Sequence, residues 1–142
     1  MSGFLLDTNI PSELTRSIIN ARVKRWLQDA PANQLYFSVV SLGEIQKGIV
    51  LLPASARRRD LQQWVERTLR PWFAGRILPI DEAIAERWGV LAGEHRLTGR
   101  QVAMADGLIA ATALEHGLTL VTRNTRDFEG LGVPLLNPWE AG

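Results

Sequence analysis

The 142-residue sequence contains no cysteine, has only two lysines among its 16 basic residues, and has no long apolar run. Without cysteine, the chain can form neither a disulfide framework nor a thiolate metal site, which fits a reducing compartment. No segment approaches the roughly 20 apolar residues of a membrane helix, and Asp7 interrupts the N-terminus too early for a secretory signal. These absences predict a soluble, cytoplasmic protein with no membrane partner.

The residues that are present suit a single domain. Hydrophobic residues make up 46% of the chain, which is enough to fill a core, and the net charge is only +1. The basic residues are mostly arginines, whose guanidinium forks suit bidentate contacts with phosphate. We therefore expect one domain over residues 1–142, with a composition that permits nucleic-acid binding without establishing it.

Short apolar segments alternate with helical patterns along the whole chain. Such alternation favours an α/β fold with a parallel sheet and helices on both faces. Pro134 places the last strand at an edge, because proline cannot donate a hydrogen bond to a neighbouring strand. The predicted strands cover residues 4–6, 35–40, 76–80, 118–122 and 133–136. The predicted helices cover residues 10–14, 21–28, 41–51, 55–72, 82–96, 103–116 and 124–129.

The first strand and the acid that follows it form the central feature of the sequence. Phe4–Leu6 is an unalternated apolar run, which is typical of a strand buried on both faces. Asp7 should then lie at the carboxyl end of a central strand, where open α/β sheets place their ligand crevice. A simple cap of the next helix is an equally good interpretation of Asp7 taken alone.

Glu44 follows the second predicted strand and admits two interpretations. Ser41 and Glu44 have the spacing of a capping box, in which each side chain bonds the other's backbone N–H at a helix start. That interpretation is favoured when the segment is considered in isolation. The alternative is a carboxylate that faces a metal ion near the end of the strand.

Asp106 is harder to explain as a structural residue. Its helix is apolar on nearly every side, so we expect its carboxylate to be buried and to need a partner or a metal. The helix dipole offers on the order of 0.3–1 kcal/mol, which is small beside the several kcal/mol of desolvation for a buried ion. A functional role is therefore the favoured interpretation.

Asn124 and Asp127 follow the fourth strand. They suit a helix cap, with Asn124 at the N-cap position and Asp127 three residues later. They also form a polar group at the sheet edge that Asp7 occupies. Asn124 is neutral, so it would support a cation through its carbonyl oxygen or a water.

Together, Asp7, Glu44 and Asp106 predict a cation site, because the carboxyl ends of parallel strands share one edge. Three converging carboxylates repel one another and their pKa values rise unless a cation neutralises them. Oxygen ligands suit Mg²⁺ or Mn²⁺, and the lack of a nearby histidine disfavours zinc. Such a site can activate water at a phosphodiester.

Five segments also carry a resemblance to a known family, and their order and spacing are more specific than any one of them. These segments are residues 5–9, 41–44, 106–113, 121–128 and 137–139. The sequence resembles PIN-domain ribonucleases of the VapC type, the toxins of toxin–antitoxin pairs, and residues 73–81 resemble the FitB-like branch. The resemblance implies a PIN-like three-layer α/β/α fold with a five-stranded parallel sheet, cleavage of RNA with Mg²⁺ or Mn²⁺, a homodimer, and inhibition by a cognate antitoxin.

The resemblance also implies roles for particular residues. The family's acidic motif falls on Asp7, Glu44 and Asp106, as catalytic residues and metal ligands. Its fourth acid falls on Asn124, an amide that we keep as a candidate catalytic residue, and Asp127 is the candidate replacement as a metal ligand. Whether one or two metals bind is left open by this departure. Supporting roles are expected for Thr8, Asn9 and Thr122 around the carboxylates, and for Arg100, Arg123 and Arg126 at backbone phosphates.

Two other functions compete with this one. A phosphatase of the haloacid dehalogenase kind would use Asp7 as nucleophile, but it needs a second acid where Asn9 stands. It also needs a lysine after a later strand, and neither Lys24 nor Lys47 occupies such a place. A catalytically silent PIN-type module that binds a basic partner through the acidic edge is the other alternative, although retention of three carboxylates argues against it.

Overall fold

The computed structural model describes residues 2–140, so the ends of the expected domain at residues 1, 141 and 142 lie outside the described residues. Its centre is a five-stranded parallel sheet with the strand order β3-β2-β1-β4-β5. The predicted α/β class and five-stranded parallel sheet are therefore confirmed. Among residues 2–140, no helix has the length and apolar character that would let it span a bilayer.

The strands are short and the helices carry most of the chain. The strands are β1 Phe4–Leu6, β2 Leu35–Ser38, β3 Ile77–Leu78, β4 Thr119–Val121 and β5 Leu135–Leu136. The longer helices are α2 Ala21–Asp29, α3 Val39–Val50, α4 Ala56–Trp64, α6 Glu82–Leu97 and α7 Met104–His116. The shorter ones are α1 Asn9–Glu13, a 3₁₀ turn Ala32–Gln34, a π segment Val65–Leu69, α5 Arg70–Trp72 and α8 Thr125–Phe128.

The central strand β1 separates two hydrophobic cores. Leu5 and Leu6 are both fully buried, and they belong to different clusters because successive side chains of a strand point to opposite faces. One cluster includes Ile109 of α7, and the other includes Ile45 of α3. Since both faces of β1 are covered, its sequence can be continuously apolar, as predicted.

The predicted boundary between the second strand and its helix was wrong. The strand ends at Ser38, and α3 begins at Val39 rather than at Ser41. Ser38 is extended (φ −97°, ψ 145°), and its hydroxyl accepts a hydrogen bond from the backbone N–H of Val40, which is the geometry of an N-cap. The β-branched Val39 and Val40 favour a strand by propensity, and the cap at Ser38 overrides that preference.

The predicted long helix over 55–72 is interrupted rather than regular. Ser55 caps its start by accepting a hydrogen bond from the backbone N–H of Arg58. The chain then changes to the π segment Val65–Leu69 before α5. Pro71 follows this segment and has no N–H to donate, so a regular α-helical pattern of hydrogen bonds cannot continue through it.

Candidate active site

Asp7 lies at the carboxyl end of β1, where its side chain is fixed by neutral donors. Its backbone N–H donates to the carbonyl of Val121 at 2.9 Å, which continues the pairing of β1 with β4. Its Oδ1 accepts from the backbone N–H of Thr8 at 2.8 Å, and its Oδ2 accepts from the hydroxyl of Thr122 at 2.8 Å. The following helix α1 takes Thr8, not Asp7, as its N-cap residue. The carboxylate is therefore held in one orientation at the sheet edge.

The pKa of Asp7 is raised above its ordinary value. Burial is the main cause, and the negative charge of Asp127 adds to it, while the hydrogen bonds from Thr122 and Thr8 act in the opposite direction. The ion pairs found within residues 2–140 lie elsewhere, between Arg16 and Glu13 and between Arg87 and Glu115. Asp7 is thus a buried carboxylate without a cationic side chain to neutralise it.

Polar side chains around Asp7 tie β1 to β4. The side-chain amide of Asn9 donates to Thr122 Oγ1 at 3.4 Å and lies 3.5 Å from Asp7 Oδ2. Thr122 Oγ1 also accepts from the backbone N–H of Asn124 at 3.0 Å. These bonds connect the predicted supporting residues across the sheet edge, so the position of Asp7 depends on both strands.

Glu44 reaches the same edge from α3. It is exposed, and its Oε1 accepts from the hydroxyl of Thr8 at 3.1 Å. Its pKa is raised chiefly by desolvation and also by the charge of Asp7, whereas the hydrogen bond from Thr8 and the charge of Lys47 lower it. The capping-box interpretation is wrong, because Ser38 caps α3 and Ser41 lies buried inside the helix, where its hydroxyl has no hydrogen-bond partner among residues 2–140.

Asp106 occupies the first turn of α7 and faces the other acids. The expectation of a fully buried side chain was wrong: the residue is half-buried, because it lies where the helix reaches the open edge of the sheet. The pKa of Asp106 is raised to about 6, chiefly by desolvation and then by the charges of Asp127, Asp7 and Glu44, in that order. Asp106 is therefore the acid whose charge is opposed by all the others.

The fourth acid of the group is Asp127 rather than Asn124. Asn124 stands at the N-cap position of α8, but its side chain makes no capping hydrogen bond, so the predicted cap is wrong. Asp127 is exposed, and its charge raises the pKa of both Asp7 and Asp106. The negative charge that the sequence lacks at Asn124 is thus supplied three residues later, from the first turn of a short helix.

The arginines near the acids differ in the contacts that their guanidinium groups make within the protein. The guanidinium of Arg100 donates to the backbone carbonyls of Asp127, at 3.2 Å, and of Glu129, so it holds the C-terminal end of α8, the helix that carries Asp127. The guanidinium carbon of Arg123 lies 5.1 Å from the ring centroid of Trp139. Arg126 is exposed. Arg100 therefore has a structural contact that no sequence pattern anticipated, and its phosphate contact stays a prediction.

The donor set fits a hard divalent cation. Every member of the acidic group offers carboxylate oxygens, and three of them have pKa values raised by burial and by one another. In the described part of the chain, no three His, Cys, Asp or Glu side chains lie close enough in their present positions to hold a metal ion. The fit is therefore one of chemistry and electrostatics, since a cation would relieve the repulsion that raises these pKa values.

Comparison with known proteins identifies relatives along almost the whole chain. The PIN domain family model matches residues 4–133. The chain is 39% identical to Toxin FitB of Neisseria gonorrhoeae over 135 residues, which cover 95% of this chain and 97% of that protein. It is 36% identical to VapC ribonuclease Y4jK of Sinorhizobium fredii over 136 residues, covering 96% and 97% of the two chains.

Solved structures show the same similarity in three dimensions. A chain of the crystal structure of FitAcB from Neisseria gonorrhoeae superposes with a TM-score of 0.90 at 38% identity, covering 97% of this chain and 99% of that one. A chain of a toxin–antitoxin complex from Klebsiella pneumoniae superposes with a TM-score of 0.72 at 30% identity, covering 98% and 100%. Fold and sequence thus point to one family.

Proposed function

Since this chain belongs to the PIN domain family, we propose that it is a metal-dependent endoribonuclease and the toxin of a type II toxin–antitoxin pair. The similarity to VapC ribonuclease Y4jK and to Toxin FitB supports the class of activity and the biological role. The observation that carries the proposal is the group of acids Asp7, Glu44 and Asp106, whose pKa values are raised and none of which forms an ion pair among residues 2–140. The whole chain, residues 1–142, would be one PIN-like nuclease domain.

Asp7 and Asp106 would hold a Mg²⁺ or Mn²⁺ ion, with Glu44 and Asp127 completing its surroundings. A bound cation of this kind polarises the scissile phosphate and lowers the pKa of a coordinated water. The hydrogen bonds from Thr8 N–H and the Thr122 hydroxyl keep both oxygens of Asp7 in place before any substrate arrives. This preorganisation reduces the reorganisation needed for the reaction.

Glu44 would orient the attacking water and accept its proton. Its exposure lets a water reach it, and the Thr8 hydroxyl fixes one of its oxygens. The raised pKa makes Glu44 a better base than an ordinary exposed glutamate. The amide of Asn124 would contribute its carbonyl oxygen through a water, because it carries no charge.

The partner would be a cognate antitoxin protein. Support comes from the similar chain of Klebsiella pneumoniae, which was solved in a toxin–antitoxin complex. We also propose a homodimer and a cytoplasmic location, where RNA is the substrate. Sedimentation at micromolar concentration tests the dimer, and a monomer there contradicts it.

The activity is tested by incubating total RNA with purified protein freed of any antitoxin. We expect cleavage with Mg²⁺ or Mn²⁺, none with excess chelator, and none with Asp7→Asn prepared in the same way. Equal cleavage by Asp7→Asn, or in chelator, would show that the proposed mechanism is wrong. If the wild-type protein binds RNA or antitoxin but cuts nothing under any metal, the silent binding module is the better description.

Metal binding is tested separately by calorimetric titration of Mn²⁺ into the isolated protein. Wild-type protein should bind, and the double substitution Asp7→Asn with Asp106→Asn should not, because the two carboxylates that face the cation lose their charge. Unchanged binding in the double variant would remove these residues from the metal site.

A further inference from the structure

A second cavity of about 220 Å³ is lined by charged, polar and apolar side chains. One of its lining residues, Arg123, directly follows Thr122, whose hydroxyl donates to Asp7, so the cavity lies next to the acidic group. The backbone N–H of Arg123 donates to Asn9 Oδ1 at 3.2 Å, so the wall of the cavity and the acidic group share a hydrogen-bond network. The cavity is lined by Glu13, Arg16, Ile18, Asn20, Arg123 and Trp139.

Trp139 is held in a fixed position on one wall of this cavity. Its backbone N–H donates to Asn137 Oδ1 at 2.9 Å, and its carbonyl accepts from the guanidinium of Arg22 at 3.1 Å. Arg123 lies over its ring at 5.1 Å, within the range of a cation–π contact. The cavity thus has a planar aromatic surface and a guanidinium group that are ordered before any ligand binds.

The lining also includes a second arginine, Arg16, and an exposed apolar side chain, Ile18. Glu13 is only 5% exposed and accepts from the backbone N–H of Asn20 at 2.8 Å, which fixes the loop after α1. Arg16 is 61% exposed, and its single contact with Glu13 is long, at 3.5 Å, so most of its guanidinium is open to a ligand. Ile18 is 84% exposed.

We propose that this cavity is a nucleotide subsite for single-stranded RNA next to the cleaved bond. Arg16 and Arg123 supply the guanidinium forks that bind backbone phosphates, and Ile18 and Trp139 supply apolar area for a base or a sugar. A small anion would contact the arginines but not the apolar residues. An apolar peptide would contact the apolar residues but leave the two arginines without an anionic partner. This inference rests on the proposed ribonuclease activity.

The positive charges of the cavity would hold an RNA strand that the negative charges of the acidic group alone would repel. The acidic group repels an RNA backbone, whereas Arg16 and Arg123, which line the neighbouring cavity, attract it. A strand held in the cavity would place an adjacent phosphodiester at the acidic group. Single strands bind in this way when cationic side chains contact the backbone and planar side chains contact the bases.

The test measures equilibrium binding without cleavage. A fluorescein-labelled 2′-O-methyl RNA of about 12 nucleotides, a usual site size, is titrated with the full-length protein in chelator and followed by anisotropy. We expect Arg16→Gln and Arg123→Gln each to weaken binding about tenfold and to reduce the slope of log K against log salt by about 0.7. Arg67→Gln, at an exposed position in the π segment, is the matched control and should bind as wild type.

Trp139 is tested by a pair of substitutions. Trp139→Leu removes the ring and should weaken binding about tenfold, because stacking on a base is lost. Trp139→Phe keeps a planar ring and should retain most of the affinity. Thermal melting of each variant identifies any loss of fold, and the two arginine substitutions decide the proposal if Trp139→Leu does not fold.

The outcomes separate this subsite from the nuclease assignment. If wild-type protein cuts RNA and the Arg16 and Arg123 variants bind and cut as wild type, the subsite is wrong and the ribonuclease stands. If the variants lose binding selectively although no protein cuts RNA, the subsite stands and the nuclease assignment fails. Equal losses in Arg67→Gln, or competition by an acidic peptide with no binding of RNA, would also overturn the subsite.

Discussion

Two buried carboxylates, one just before α1 and one at its last residue, have opposite surroundings. Asp7, 7% exposed, accepts hydrogen bonds from neutral donors, and the charge of Asp127 acts against it. Glu13, 5% exposed, accepts from the backbone N–H of Asn20 and has the guanidinium of Arg16 beside it. Burial is therefore no guide to a reactive acid. The surrounding charge distinguishes them, since acids converge on Asp7 and a cation accompanies Glu13.

The largest expected effect tests this comparison directly. Asp7→Asn should reduce RNA cleavage by more than about 100-fold, because even partners that only orient a metal ligand contribute 10–100-fold. Glu13→Gln should reduce cleavage far less than Asp7→Asn, because its carboxylate does not face the cation, and it should lower the free energy of unfolding by about 1 kcal/mol, because an amide replaces a charged acceptor. Single-turnover cleavage and urea denaturation measure the two quantities. A folded Glu13→Gln protein as inactive as Asp7→Asn would break the comparison.

A smaller effect concerns two fully buried threonines, one beside Asp7 and one remote from it. Thr122→Val removes the hydroxyl that donates to Asp7 at 2.8 Å, so we expect a 10–100-fold loss of cleavage rate or metal affinity. Thr112 donates only to the carbonyl of Leu108 within α7, and Thr112→Val is the matched control. Both variants are assayed for cleavage and Mn²⁺ binding. Equal losses in the two would show that Thr122 has no specific role in orienting Asp7.

Packing behind Asp106 gives a prediction about stability. A Cβ at Gly107 would lie 2.7 Å from Trp88 Cδ1, so Gly107→Ala should lower the free energy of unfolding by about 1–3 kcal/mol and shift Asp106. Gly93 in α6 has no such neighbour, so Gly93→Ala should stabilise the protein by about 0.5–1 kcal/mol. Denaturant unfolding compares them. An unchanged free energy of unfolding in Gly107→Ala would mean that the Trp88 side chain moves aside and does not fix the start of α7.

The smallest expected effect is a pH dependence of the metal-free protein. The folded protein binds the proton of Asp106 more tightly than the unfolded chain, because its pKa is raised from 3.8 to about 6. The associated stability is present below the unfolded pKa and is lost as the pH rises through the folded pKa. Asp106→Asn should therefore melt at an equal or higher temperature than wild type at about pH 7.5, with the difference vanishing near pH 4.

Thermal melting in chelator measures this difference, and added Mn²⁺ should reverse it by stabilising the wild type alone. Asp106 is half-buried, so solvent screening keeps the effect small. A clear drop in the melting temperature of Asp106→Asn without metal would instead indicate a structural role for its carboxylate.

The sequence by itself determined the features that depend on nearby residues. An unbroken apolar run specified β1 as a strand covered on both faces, and Pro134 indicated an edge position for β5. Asp81 caps α6 by accepting from the backbone N–H of Ile84, a role that Asp fills at many helix starts. Gly117 ends α7 in the left-handed conformation at φ 65°, which glycine adopts without strain. Each of these follows from steric and hydrogen-bonding rules that operate over a few residues.

Only the tertiary structure decided which side chains meet at the acidic edge. The hydroxyl of Thr122 contacts Asp7 across 115 positions of sequence, and that of Thr8 contacts Glu44 across 36. Asp127 lies in α8, and its backbone carbonyl accepts a hydrogen bond from Arg100, which lies 27 positions earlier. Such contacts depend on the register of the strands and on the packing of helices against them, and no local pattern records either.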